Sequence, residues 1–249
     1  MAHIDLNGQI AIVTGSAHRV GRAIALELAK SGVGILVHYF RSSDETVRDT
    51  LHAIRSHGVA AFPVQADLTS AEGVERVFQA ARDHFGRLDL LVNSASNFQK
   101  RRLLDVSLDE WNETISANLT APFLCTQQAI RLMREKTPPG GVIVNIGDRG
   151  ALDPWPDYAH HGISKAGLLA LTKVTAASYG PDIRANFIIP GLVMRSEGMS
   201  EAYWQSAAQK FPINHPGSAE DVGRAVVYLA SEDFLTGVVL NVDGGAGVI

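Results

Sequence analysis

The feature that most constrains this chain is its repeated switch between short apolar runs and longer amphipathic stretches. "QIAIVTG" is followed by a helical pattern at 20–31, "GILVHYF" by one at 43–57, and "AAFPVQAD" by one at 70–85. Strand-sized runs alternating with helix-sized ones form βαβ units, in which each helix returns the chain so that the next strand lies parallel to the last. The alternation continues through "LDLLVNSA", a helical stretch from 107 to about 135, "GVIVNIGD", a helix from about 160 to 179, "IRANFIIPG", a helix from 218 to 230, and "GVVLNVDGG". Runs this continuously apolar are expected where helices cover both faces of a sheet.

The expected fold is α/β: a single doubly wound Rossmann-type domain over residues 1–249, with a seven-stranded parallel sheet flanked by helices. No repeat, low-complexity tract or linker divides it. The one long interruption is 192–217, "LVMRSEGMSEAYWQSAAQKFPINHPG", read as a substrate lid because long loops in compact domains are usually functional. The 22 basic against 26 acidic residues leave a formal charge of −4, without the basic excess that would suggest nucleic acid. A small-molecule substrate is the expectation. The apolar runs are too short for a membrane helix, the start has no secretory pattern, and Cys125 is alone, so a cytoplasmic protein is expected.

"IAIVTGSAHRVGRAIALELAK" runs from the first strand through Gly15 and Gly21 into an amphipathic helix. Such a turn lets the backbone approach a pyrophosphate closely and points free helix N–H groups at it. Gly15, Arg19, Val20 and Gly21 are therefore candidate cofactor residues. A strict GxGxxG is absent; the position after the first strand of a βαβ unit carries the reading. At the end of the second strand an NAD site would want a carboxylate for the ribose 2′-hydroxyl, and none occurs from Leu28 through Ser43. The sequence has "HYFRSS" instead. Arg41 and Ser42, with Tyr39 and Phe40 beside them, suit a 2′-phosphate, so NADP(H) is the expected cofactor.

These residues, with "DLT" at 67–69, "NSAS" at 93–96, Asn118, Lys165, "PG" at 190–191 and "VDGG" near the end, resemble the short-chain dehydrogenase/reductase family along nearly the whole chain. The resemblance implies that Asp67 and Leu68 border the adenine and that Asn93, Ser94 and Ala95 support the cofactor. It implies that Pro190, Gly191 and Val193 flank the nicotinamide, that Asn118 holds a relay water and that Lys165 holds the nicotinamide ribose. A dimer or tetramer on the helices around 107–135 and 160–179 is implied as well. A narrower similarity is to the pteridine and dihydromonapterin reductases. Arg19 replaces the usual second glycine, "HYFRSS" is similar to their second strand, Phe98 in "NSASNF" matches an aromatic that stacks on the pterin, and Asp148 stands where most members have serine. Arg19, Phe98 and Asp148 are thus candidate substrate contacts.

One position departs from the family. Four residues before Lys165, where the family places its proton-donating tyrosine, stands His161 in "DYAHHGISKAG". Imidazole titrates near 6.5 and delivers a proton near neutrality without the activation a phenol needs. The expected catalytic set is Asp148, His161, Lys165 and Asn118. Tyr158 ranks second as donor, and His160, about 100° around the helix from His161, should face elsewhere. No metal is expected, since adjacent helix residues diverge and no further ligand is suitably spaced. The leading function is NADPH-dependent hydride transfer to a small planar substrate, a pterin or dihydrofolate-like compound. The alternatives are reduction of a ketone, 3-oxoacyl thioester or sugar, and a catalytically weak NADP(H)-binding sensor or structural protein.

Overall fold

The computed structural model describes residues 3–195 and 198–249, so two residues of the expected lid, Ser196 and Glu197, lie outside the described residues. Its strands are β1 (Ile10–Val13), β2 (Gly34–Tyr39), β3 (Ala61–Gln65), β4 (Leu90–Asn93), β5 (Gly141–Ile146), β6 (Ile183–Pro190) and β7 (Val239–Val242). They form one sheet in the order β3-β2-β1-β4-β5-β6-β7, every neighbouring pair parallel. The order reverses between β1 and β4. Neighbouring connections leave on opposite faces there, opening a crevice at the strands' carboxyl ends.

Eight α-helices accompany the sheet among the described residues: α1 (Arg19–Lys30), α2 (Asp44–Arg55), α3 (Ala71–Phe85), α4 (Leu108–Ile115), α5 (Ala121–Glu135), α6 (Ala159–Tyr179), α7 (Glu201–Ala208) and α8 (Ala219–Ser231). The period-two geometry of a strand divides its apolar residues between two cores. Ala11, Val13, Ile35, Val37, Leu90 and Val92 meet Ile24, Leu28, Ile54, Val226 and Leu229 on one face. Ile12, Leu36 and Leu91 meet Val77, Phe78, Cys125 and Met133 on the other. Burying a side chain such as Phe78, fully enclosed here, contributes ~1.5–3 kcal/mol.

Two elements add detail to the sequence expectation. The helical stretch from 107 to about 135 is α4 and α5 joined by a π-helical turn, Ser116–Thr120, with Asn118 buried within it. The lid contains a helix, α7, whose first turn is capped by Ser200 accepting from Tyr203 N–H and whose Trp204 is buried. Only Trp204 and Ala208 of its eight residues are buried, and its apolar residues do not sort onto one face, so no clear helical period marks it.

Candidate active site

Helix starts in this chain are treated unequally. Ser43 caps α2, Ser70 caps α3 and Ser107 caps α4 in a full capping box with Glu110, each with an acidic residue in the first turn. At α1, His18 occupies the N-cap position without a side-chain cap, and the first turn holds no acid. Its free N–H groups and positive dipole end are left for an external anion. The preceding turn is tight: Gly15 has φ 66°, and a Cβ on Gly21 would stand 2.3 Å from Gly15 O. Arg19 also has positive φ, 54°, a conformation costing a non-glycine residue ~1–3 kcal/mol.

That helix start opens into a cleft of about 780 Å³. Gly15, Arg19, Val20, Gly21, Tyr39, Phe40, Arg41, Ser42, Asp67, Leu68, Asn93, Ser94 and Ala95 all line it, so these sequence candidates converge on one cavity. The cleft's size and its cradle of glycine turn and uncapped helix fit a dinucleotide. At its far end Ser42 Oγ lies 3.2 Å from His18 Nδ1, and Arg41 stacks over the Phe40 ring at 5.0 Å. His18 escaped the sequence reading although it directly precedes Arg19. A second cavity of about 360 Å³ adjoins, walled by Arg19, Arg22, Val193, Arg195 and Trp204 with the start of α8. Arg19 borders both cavities. Pro190, Gly191, Lys165 and Phe98 line neither.

The phosphate turn is pinned from two sides. Thr14 Oγ1 accepts from the N–H groups of Ser94 and Ala95, both at 2.9 Å, joining the ends of β1 and β4. His38, 3% exposed, accepts from Gly15 N–H at its Nδ1 and donates from Nε2 to Ala66 O, both at 3.0 Å. Burial lowers its pKa to about 4, against the raising effects of the Ala66 carbonyl and Asp67, so the ring is neutral near pH 7. In the sequence His38 is one more residue of an apolar strand.

Beyond β5 the chain builds a compact polar group. His161, 2% exposed on the first turn of α6, pairs through Nε2 with Asp148 Oδ2. Its Nδ1 stands 3.1 Å from Asn97 O and 3.3 Å from Asn118 Nδ2. When Nδ1 donates to Asn97 O the ring is an imidazolium; when it accepts from Asn118 the ring is neutral. With Asp148 ionised, Nε2 carries the proton facing it in either state. Asp148 Oδ1 is buried without a partner. Lys165 is buried and donates from Nζ to Ile146 O at 3.0 Å; burial lowers its pKa and the charge of Asp148 opposes the drop.

Asn118 is committed to the protein. Its Oδ1 accepts from Asn97 N–H at 2.8 Å and Ser96 Oγ at 3.1 Å, and its Nδ2 donates to Asn97 O at 3.1 Å and Ser164 Oγ at 3.2 Å. The amide therefore orders the loop that carries Phe98. Phe98 is 58% exposed and stacks on Tyr158, centroids 4.5 Å apart and 22° between planes, while meeting His161 edge to face at 4.7 Å. Tyr158 is the N-cap residue of α6, committed to that aromatic stack. His160 turns away into a buried environment where neither ring nitrogen has a partner; burial lowers its pKa and Glu110 opposes the shift.

No described helix is long and apolar enough to cross a membrane. Residues 15–247 match the family model described as Enoyl-(Acyl carrier protein) reductase. The chain is 36% identical to a 3beta-hydroxysteroid dehydrogenase 1 from Eggerthella lenta, over 97% of this chain and 94% of that one. It is 33% identical to glucose 1-dehydrogenase 2 from Bacillus subtilis, over 97% and 95%, and 33% identical to a 3-oxoacyl-[acyl-carrier-protein] reductase from Synechocystis, over 96% and 97%. A solved short-chain dehydrogenase/reductase from Serratia marcescens superposes with a TM-score of 0.89 at 29% identity, covering 98% of this chain and 100% of that one. A nucleotide cleft at the sheet's switch point, a buried lysine on α6 and relatives matched end to end place this chain in the short-chain dehydrogenase/reductase family of oxidoreductases, which use nicotinamide cofactors.

Proposed function

We propose that this chain is an NADPH-dependent reductase of a small planar heterocycle, a pterin or dihydrofolate-like compound, and that residues 1–249 act as one domain with 192–217 as its lid. The observation that carries this is the exposed Phe98 ring standing 4.7 Å from His161, whose Nε2 is paired with Asp148. A flat ring laid on Phe98 gains stacking energy within reach of a buried acid pair. An ordinary ketone needs no aromatic platform.

Bound in the cleft, the cofactor would be held by Gly15, Val20 and Gly21 at its pyrophosphate, by Arg41 and Ser42 at a 2′-phosphate, and by Asp67, Leu68, Asn93, Ser94 and Ala95 along its adenosine half. Pro190, Gly191 and Val193 would flank the nicotinamide and Lys165 its ribose. The nicotinamide supplies the hydride. The protein supplies the proton from the imidazolium form of His161, in which Nδ1 donates to Asn97 O and Nε2 carries the proton facing Asp148 Oδ2, so that its release leaves a neutral ring. Arg19, bordering both cavities and free of any partner among the described residues, faces a substrate's polar edge. Asn118 serves by holding the loop of Asn97 and Phe98 in place. A homodimer or homotetramer in the cytoplasm completes the reading.

Reduction of a carbonyl is the second reading, favoured by the named activities of the glucose and 3-oxoacyl relatives. Purified protein with NADPH is to be given dihydrobiopterin, dihydrofolate, a 3-oxoacyl thioester and a sugar lactone, following NADPH oxidation. Turnover confined to the pterins supports the leading reading. Turnover confined to the carbonyl compounds replaces it, and NADPH binding without any turnover leaves only a binding protein.

A further inference from the structure

Arg149 links three walls of the site. It follows Asp148 and opens the short 3-10 turn Arg149–Ala151. Its Nη1 donates to Ala246 O, its Nη2 to Ile249 O at 3.2 Å, and its Nε to Asp153 Oδ2 at 3.2 Å. The two acceptor oxygens belong to residues 246–249, where Ala246–Val248 forms a 3-10 turn shaped by Asp243. The carboxylate of Asp243 accepts from Gly245 N–H and Gly247 N–H, both at 2.9 Å. The same stretch holds the other two walls. Val242 O accepts from Gly191 N–H at 2.9 Å beside the end of β6, and Gly244 O accepts from Ile213 N–H at 3.2 Å at the end of the lid.

We propose that Arg149 is a positioning residue, holding Asp148 in register with His161 by tying its loop to the 243–249 turn. One 3-10 turn supplies few backbone bonds, here Ala151 N–H to Asp148 O at 3.1 Å and the N–H groups of Leu152 and Asp153 to Arg149 O, both at 2.9 Å. Nothing grips the second carboxylate oxygen, Oδ1. The orientation of Asp148 therefore depends on where its loop is anchored: before it by Gly147 N–H donating to Ile188 O at 2.8 Å, and after it by the Arg149 guanidinium on backbone oxygens 97 and 100 residues away. The inference rests on the proposed role of the His161 and Asp148 pair as proton source.

The test compares wild type with Arg149→Met, Arg149→Lys and, as an independent route that leaves Arg149 intact, Asp243→Asn. Without substrate, NMR reads the Nε2 proton resonance and the titration of His161; with a reducible substrate, kcat, its pH profile and KM are measured. Arg149→Met and Asp243→Asn are each expected to move the resonance and the titration, and to lower kcat about 10-fold with KM for NADPH unchanged. The double variant should be no worse than the poorer single one, and Arg149→Lys should recover part of the loss. An unmoved His161 resonance and titration in both Arg149→Met and Asp243→Asn overturns the proposal, as do losses that multiply in the double variant. A moved resonance in a protein that reduces no pterin upholds this inference while ending the pterin reading.

Discussion

Acidification is expected to release the phosphate turn through one residue, His38. The folded protein holds its imidazole neutral, with a pKa of about 4 against an ordinary 6.5, chiefly because the ring is buried. An unfolded chain protonates the same ring near the ordinary value, so the stability from neutral His38 is fully present above about pH 6.5. It is lost as the pH falls through about 4. The separation of the two values is equivalent to ~3 kcal/mol, and the near-complete enclosure of the side chain leaves little solvent screening to discount it. Protonation also turns Nδ1 from an acceptor into a donor facing Gly15 N–H, 3.0 Å away. The turn that would receive the pyrophosphate should loosen in the same pH window. His38→Asn keeps an acceptor near the Nδ1 position and does not titrate. Urea denaturation from pH 7 to pH 4 should therefore show wild type losing ~3 kcal/mol more than His38→Asn. NADPH affinity should fall more steeply in wild type over that range. Parallel pH curves for the two proteins would refute the reasoning.

Other expectations follow from the same geometry. Arg41→Asp should weaken NADPH binding about 10- to 100-fold, the loss of a charge-assisted contact, and narrow the preference over NADH; fluorescence titration with both cofactors checks it. Arg19→Gly removes a side chain held at φ 54° and should raise unfolding stability by ~1 kcal/mol while raising KM for the substrate, read by denaturation and steady-state kinetics. Cys125, buried and with burial pushing its thiol up to about 12, should resist thiol reagents in the native protein and react only on unfolding.

Much of the architecture was legible because it is written in local periods. The alternation of strand-sized and helix-sized runs predicts the seven parallel strands, and the glycine turn between the first strand and α1 marks the cleft. The cofactor candidates from Gly15 to Ala95 meet in one cavity because the strand order brings the ends of β1, β2, β3 and β4 side by side. What was not legible depends on contacts distant in sequence. His38 gives no sign within its apolar strand that it pins Gly15 and Ala66. Nor does Arg149 show that it reaches Ala246. Asp148 and His161 were placed in one catalytic set by resemblance, but their direct pairing and the commitment of the Asn118 amide to Asn97, Ser96 and Ser164 carry no spacing signal. Helix α7 went unread because only Trp204 and Ala208 of its eight residues are buried and its apolar residues do not sort onto one face.

The central claim is that the His161 and Asp148 pair delivers the proton while NADPH reduces a bound planar heterocycle. A single-turnover measurement of NADPH oxidation with dihydrobiopterin, wild type beside His161→Phe, addresses it most directly. Wild type is expected to turn over, and His161→Phe to be slower by ~10²–10⁴-fold with NADPH binding unchanged. Equal rates in the two proteins would contradict it.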